Sequence, residues 1–380
     1  MEGRATSVSK ASLTLLGTII GAGVFGLPAL FSYVGFWPGT LLFWFLAGIM
    51  LLTHVYLVEI ILAFRKKMRL AGYAREVLGK RGFIMASITY PGQIIGVNLI
   101  YIILGGAFLS MLGHGIGLHQ PLVFWQLLFW AIGGAIVLSG FKFLATFETI
   151  ATWFLIGSMV VVIGLSTGSW NIRALSYADW SHFFVPFGVF LFSLFGVSVI
   201  SEIVELSGRN REKAFRAVTI GTLGAALLSW AFGVSLYLAV GRVGRDPFDL
   251  ISALPSSWSW LLPVFGILAI ITSFVTTAED LKQTFHFDFH LRPRASWLLA
   301  LFIPLLLFIT QRDFLSTVDF VGTVFGGLNC LLVIFIALKL FAHRRKKSPA
   351  PVVWSFAGSI VLLLVFMIGI LHKFLYQPLV

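Results

Sequence analysis

Apolar runs of roughly 20 residues recur from one end of this chain to the other, and each is long enough to cross a hydrocarbon core of ~30 Å as a helix. Hydrophobic residues make up 58% of the 380 and charged residues 11%. A soluble domain carries roughly 25% charged residues, so this chain lacks the polar surface to remain in water. Eleven spans are predicted, over 11–34, 39–64, 83–112, 122–140, 144–166, 183–206, 217–240, 258–282, 296–310, 318–341 and 352–375. The expectation is an all-α membrane protein. The first span is too long for a signal-peptide core and ends in no small-residue cleavage site, so it is expected to be retained.

Lys and Arg separate when they are assigned alternately to the two sides of the membrane. The side that holds the N-terminus collects all 27 except Arg173, Arg242, Arg245, Arg312 and Lys373. The loops "RKKMRLAGYAREVLGKR", "GRNREKAFR" and "KLFAHRRKK" and the linker with Lys142 carry most of them. The positive-inside rule then predicts a multi-pass protein of the cell membrane with its N-terminus in the cytoplasm and its C-terminus outside. The net charge of +12 is read as solvated loop charge beside an anionic leaflet, so the bilayer is expected as a partner and nucleic acid is not. Trp37, Trp258 and Tyr376, near span ends, fit interfacial aromatic belts. Cys330 stands alone, which allows no internal disulfide and no cysteine metal cluster.

The stretch "GTIIGAGVFGLP", Gly17 to Pro28, contains G-x-G-x-x-G at Gly21, Gly23 and Gly26. A dinucleotide fingerprint would follow a strand and have an acid ~20 residues on. Here the flanks are membrane-spanning, and the corresponding region reads "LLFWFLAG". Small residues also serve close helix packing in membranes. Three features favour a deliberate break instead. The glycines lie mid-span, where unwound backbone must line a cavity or hide in protein. Pro28 follows and cannot donate a helical hydrogen bond. The sixth span carries a second interruption, "SLFG", Ser193 to Gly196.

Spans one and six are five apart, so a second five-span unit would start from the opposite side of the membrane. Paired interruptions in inverted halves are the sequence pointer to a transporter binding site. The expected organisation is a cytoplasmic tail at 1–10, one five-span repeat at 11–166, a second at 183–341, and an additional span at 352–375. Amides freed at the first break can hold a carboxylate. Carbonyls freed at both breaks can hold an ammonium or a cation. Together they suit an amino acid.

The quoted first-span motif resembles that of the hydroxy and aromatic amino acid permeases, within the amino acid/auxin permease superfamily. "AIITSFVTTAEDLKQ" (Ala269 to Gln283), "GRNREKAFRAVTIGT" and "FIPLLLFITQRDFLSTVDFVGTVFGG" are similar to that family's eighth span, seventh-span start, and ninth and tenth spans. The resemblance implies the fold of the sodium-coupled leucine transporter LeuT, a 5+5 inverted repeat with discontinuous helices one and six, and uptake of neutral amino acids by a symporter working through alternating access. It puts the substrate carboxylate at Gly21, Ala22 and Gly23 and offers the carbonyls of Ser193, Leu194 and Phe195 to its amine, with Ile20 and Gly196 among the substrate-binding residues. Phe190 and Phe195 are candidate gates. Asn98 and Tyr101, three apart on one helix face, either reach the substrate or bridge helices.

Sodium-dependent members of that fold bind the ion between helices one and eight, which corresponds here to Gly17, Ile20, Thr272 and Ser273. The sodium-coupled members carry Asn where Thr18 stands, whereas the bacterial aromatic permeases tend to carry Thr and use protons. The proton is therefore the expected coupling ion and sodium the alternative, with no cofactor. A Lys that some proton-driven relatives place in helix five is missing: Phe154 or Leu155 aligns there. The candidates for carrying a proton are His54, Glu59, Glu148 and Glu202, with Glu205 and Glu279 behind them; intramembrane ionisable groups are functional hypotheses by default. No H-E-x-x-H appears, which argues against an intramembrane metalloprotease. No charged ring or filter repeat points to a channel. A sensor that keeps this fold is the remoter alternative.

Overall fold

The structure, a computed structural model, describes residues 8–66, 68–138, 144–241, 260–344 and 356–375, all of them helix or connecting segment. Lys142, Arg242, Arg245, Trp258 and Tyr376 lie outside the described residues, and so does the side chain of Glu148. Each long helix is named here in chain order: α1 (Val8–Ile19), α2 (Leu27–Val34), α3 (Phe36–Ala63), α4 (Leu70–Leu78), α5 (Lys80–Gly115), α6 (Leu122–Leu138), α7 (Leu144–Ser166), α8 (Phe187–Ser193), α9 (Ile200–Leu206), α10 (Arg211–Val240), α11 (Leu261–Gln283), α12 (Pro293–Thr310), α13 (Phe314–Phe320), α14 (Gly327–Arg344) and α15 (Phe356–Leu375).

Among the described residues, 9 helices are long and apolar enough to cross a membrane, or 10 when the bent pair α1 and α2 counts as one span. The expected eleven is not reached by that measure, because α6 has only 17 residues. The ninth span, expected over 296–310, begins earlier, at Pro293, and reaches 18 residues. Proline suits that first turn, where its missing amide has no acceptor to lose.

Both expected breaks are present. α1 ends at Ile19, and the chain resumes as a short 3-10 turn from Ala22 to Gly26 before α2, with a bend of 49° between the halves. α8 ends at Ser193 and α9 begins at Ile200, with Leu194 to Gly196 irregular between them. The two broken spans lie against each other and run antiparallel. A Cβ built on Gly26 would meet Val189, one on Gly23 would meet Phe192 and Ser193, and one on Gly196 would meet Leu15 and Ile19. The breaks therefore sit at one level, in contact.

Packing around them is asymmetric. Phe25 touches Phe108, Phe232 and Phe265 with ring centroids 4.9, 6.1 and 5.7 Å away, and all four rings are buried. This cluster fills the end of the bundle opposite the basic loops. Above it the segment before α8 is tied to the end of α2: Ala178 bridges Gly35, and the Asp179 amide donates to Val34 O at 2.8 Å. Gly35 has φ of 89°, and a Cβ there would strike the Tyr177 carbonyl. At the basic end, Arg209 donates to the Ile61 and Phe64 carbonyls and to Glu205, and Arg211 pairs with Glu59 at 2.5 Å. Cations at the carbonyl end of α3 satisfy groups the helix leaves unpaired.

α15 is held by charge. Lys373, near its end, pairs with Asp319 of α13, and both side chains are largely buried. Asp319 also accepts from Thr323, in the π-helical turn Val321–Gly326 that follows. Removing one partner of such a pair leaves an uncompensated buried charge. Lys373→Met should lower the thermal unfolding midpoint of the detergent-purified protein by the equivalent of ~3 kcal/mol. The double variant with Asp319→Asn should recover most of that loss. A single variant that melts like the wild type would mean the pair is solvated.

Candidate functional site

A cavity of about 230 Å³ lies where the two breaks meet. Its walls follow from helix periodicity. α5 presents Tyr90, Ile94, Val97 and Tyr101, and α11 presents Ala269, Thr272, Ser273, Thr276, Thr277 and Asp280; both stripes repeat at three or four residues, which keeps them on one helix face. The broken first span contributes Gly17 to Ile19 and Gly21 to Gly23, and the sixth Phe192, Phe195, Ser198, Val199 and Glu202. α7 adds Thr152 and Leu155. The lining descends from the level of the breaks to Glu202 and Asp280, at the helix ends that lead to the basic loops. In the other direction the Phe25 cluster closes the bundle.

The first break leaves backbone donors without partners. The amides of Gly21, Ala22 and Gly23 make no hydrogen bond among the described residues, and they open the 3-10 turn with its positive dipole end toward the cavity. Because α1 stops at Ile19, its last carbonyls have no helical amide to accept from. The Tyr101 hydroxyl lies beside Ser273, and a Cβ on Gly21 would come within 3.2 Å of it. Three helices thus meet at Gly21.

Among the expected site residues, Gly17, Gly21, Ala22, Gly23, Tyr101, Phe195, Glu202, Thr272 and Ser273 line the cavity. Ile20, Ser193, Leu194 and Gly196 neighbour lining residues in the chain and do not themselves line the cavity. Phe190 is placed elsewhere: its ring packs between Phe31 and Phe43 at 5.4 Å from each, in the closed half of the bundle. Asn98 is turned from the cavity; its Oδ1 accepts from Thr277 Oγ1 at 2.5 Å, and its Nδ2 is a buried donor without a partner among the described residues. Thr272 and Ser273 donate to carbonyls of their own helix, Leu268 and Ala269. In α7, Phe154 is exposed on the outer surface and Leu155 lines the cavity, but Thr152 is the residue set against Gly17. Glu59 pairs with Arg211 away from the cavity, and Glu205 and Glu279 pair with Arg209 and Lys282. His54 is fully buried on α3, bonded to Thr222 and to the amide of Gly196.

Asp280 was not foreseen. It closes the α11 stripe one turn below Thr276 and Thr277. Its carboxylate pairs with Arg69 and accepts from the Tyr90 hydroxyl at 2.8 Å, while Arg69 also reaches Thr284 at 3.0 Å and Gln283 at 3.2 Å. The signal was available in the spacing 269, 272–273, 276–277, 280. Among the described residues no cluster of three or more His, Cys, Asp or Glu could hold a metal ion.

Residues 4–375 match the tryptophan/tyrosine permease family model. The chain is 22% identical to a tyrosine permease of Enterobacter agglomerans, over 95% of this chain and 93% of that protein. It is 24% identical to a tryptophan-specific transport protein of Pseudomonas aeruginosa (strain UCBPP-PA14), over 97% and 93%. It is 21% identical to glutamine transporter 2 of Aliivibrio fischeri, over 89% of each. Among solved structures it is similar to Mhp1 in an inward-facing conformation, with a TM-score of 0.68, 15% identity, and coverage of 98% of this chain and 89% of that one. MhsT in complex with L-phenylalanine gives a TM-score of 0.68 at 16% identity, over 98% and 100%. The fold is that of the LeuT-type transporters, and the relatives are permeases and transport proteins rather than enzymes.

The contact between the breaks makes a residue-level prediction. A methyl on Gly23 would sit 2.8 Å from Ser193 Cα, which is backbone and cannot yield; one on Gly26 would sit 3.0 Å from the tips of Leu315 and Val189. Gly23→Ala should therefore destabilise by ~1–3 kcal/mol, read as a fall in thermal midpoint, and Gly26→Ala by clearly less. Equal effects would mean that the breaks are not in contact at Gly23.

Proposed function

The chain belongs to the tryptophan/tyrosine permease family, and we propose that it is a secondary active transporter which brings neutral amino acids, aromatic ones first, across the cell membrane by proton-coupled symport and alternating access. The observation that carries this reading is the cavity: it rests on two touching breaks, runs to the basic end and is sealed by aromatic rings at the other. With the basic loops in the cytoplasm, that is an inward-facing state, with the Phe25 cluster as the closed outer gate.

In this reading the substrate carboxylate takes the free amides of Gly21 to Gly23, and its ammonium takes carbonyls of Ser193 to Phe195. Phe192, Phe195, Ile94 and Val97 offer apolar surface to an aromatic side chain. The proton would be carried by the carboxylates on the cavity wall, Glu202 and Asp280. Neutralising Asp280 would release Arg69 and loosen the contact between α11 and the segment before α4. The two repeats would rock about the breaks, with the first at 11–166 and the second at 183–341.

Two observations support second readings. Gly17, Thr152, Thr272 and Ser273 share one wall, and their oxygens are hard ligands of the type a sodium ion takes. The relatives also include a glutamine transporter, which puts a polar amide side chain in the substrate panel.

The test is uptake of labelled L-tryptophan, L-tyrosine, L-phenylalanine and L-glutamine into proteoliposomes, with proton and sodium gradients imposed separately. Accumulation of an aromatic amino acid under the proton gradient alone is expected. Asp280→Asn or Glu202→Gln should abolish that accumulation while leaving equilibrium exchange. Accumulation that requires sodium and is lost in Thr272→Ala would establish the sodium site instead. Uptake of glutamine alone would overturn the aromatic assignment, and no uptake at all would overturn the transport reading.

A further inference from the structure

The break in the sixth span leaves one amide that reaches across to another helix, and the group that takes it is a histidine 142 positions earlier in the chain. Gly196 donates its N–H to His54 Nε2 at 3.2 Å, and His54 Nδ1 lies 3.0 Å from Thr222 Oγ1 of α10. An amide can only donate, so Nε2 carries the lone pair. Nδ1 then holds the ring proton and donates it to Thr222. Both nitrogens of a neutral ring are committed, and the ring is fully buried.

In an unbroken helix the Gly196 amide would return to Phe192 O; here that carbonyl accepts from Phe195 at 3.2 Å. Gly196 is also pressed against α1: a Cβ there would come within 2.9 Å of Leu15 and Ile19. Its backbone is fixed on one face by α1 and on the other by the imidazole. We propose that His54 is a positioning residue for substrate binding, a fixed neutral acceptor that holds the Gly196 amide out of the helix and so keeps the sixth span unwound at Leu194 to Gly196, where Phe195 meets the cavity. The inference rests on the transport reading above. It assigns the ring an acceptor's role in place of a proton carrier's, since a second ring proton would set N–H against N–H at Gly196.

Side-chain length separates the two bonds. Gln places an acceptor oxygen where Nε2 stands and reaches Gly196; Asn matches only the Nδ1 position and reaches Thr222. His54→Gln should keep the KM for proton-driven L-tryptophan uptake within about threefold of wild type, whereas His54→Asn should raise it about tenfold, with a smaller change in maximal rate. Hydrogen–deuterium exchange over residues 190–200 should show the Gly196 amide protected in wild type and in His54→Gln and exposed in His54→Asn. Thr222→Val, which removes the ring's other partner, should keep that protection. The proposal is overturned if His54→Gln is as impaired as His54→Asn, if His54→Asn matches wild type, or if Thr222→Val loses the same protection. Should the wild type take up no amino acid, the transport reading fails and the exchange pattern still decides the role of His54.

Discussion

Everything in this molecule hangs on how two stretches of unwound backbone survive at membrane depth. An unsatisfied amide or carbonyl in hydrocarbon costs several kcal/mol, so a broken helix persists there only if protein or an aqueous cavity receives its polar groups. Here the breaks shield each other. Gly23 leaves room for Ser193, Gly196 leaves room for Leu15 and Ile19, and the antiparallel run of contacts keeps both breaks at one level. The amides of Gly21 to Gly23, without a partner among the described residues, belong to residues that line the cavity. The donors left over at the first break are thus the ones the cavity meets.

Side-chain chemistry then divides the bundle along its axis. Beyond the breaks, away from the basic loops, aromatic rings pack in edge-to-face and tilted pairs, with Phe25 at the centre and Phe190 between Phe31 and Phe43 in a second group. Toward the basic loops the helices turn hydroxyls, the Gln93 amide and the carboxyl groups of Glu202 and Asp280 inward. The aromatic half can close without water, and the polar half can stay wet. Asp280 sits at the polar end, tied to Arg69 and Tyr90, so its pairing with Arg69 joins the cavity wall to the segment that precedes α4.

Much of this was legible in the sequence, for identifiable reasons. Both breaks announce themselves: the first by four glycines and Pro28 inside an apolar run, the second by "SLFG". Of the residues adjacent to the breaks, Gly21, Ala22, Gly23 and Phe195 line the cavity and Ile20, Ser193, Leu194 and Gly196 do not, because a break locates a level in the membrane and not the direction each residue faces. Phe190 could not be placed, since the helix periodicity that would relate it to Phe195 is interrupted between them. Asn98 and Tyr101 do share a face of α5, but a turn of helix is enough to send one to Thr277 and the other to the cavity. Thr152, which stands against Gly17, carries no local signal in a helix whose sequence offers no anchor. The partner of Gly196 could not be read at all, because nothing local links position 196 to position 54. Asp280 could have been found, since the α11 stripe repeats at helical spacing down to it.

The most direct test of the central claim, that the paired breaks are the binding site, is a structure determined with L-tryptophan bound. The ligand's carboxylate is predicted at the amides of Gly21 to Gly23 and its ammonium at the carbonyls of Ser193 to Phe195. A ligand seated instead at the mouth, between Glu202 and Asp280, with both breaks unoccupied, would contradict it.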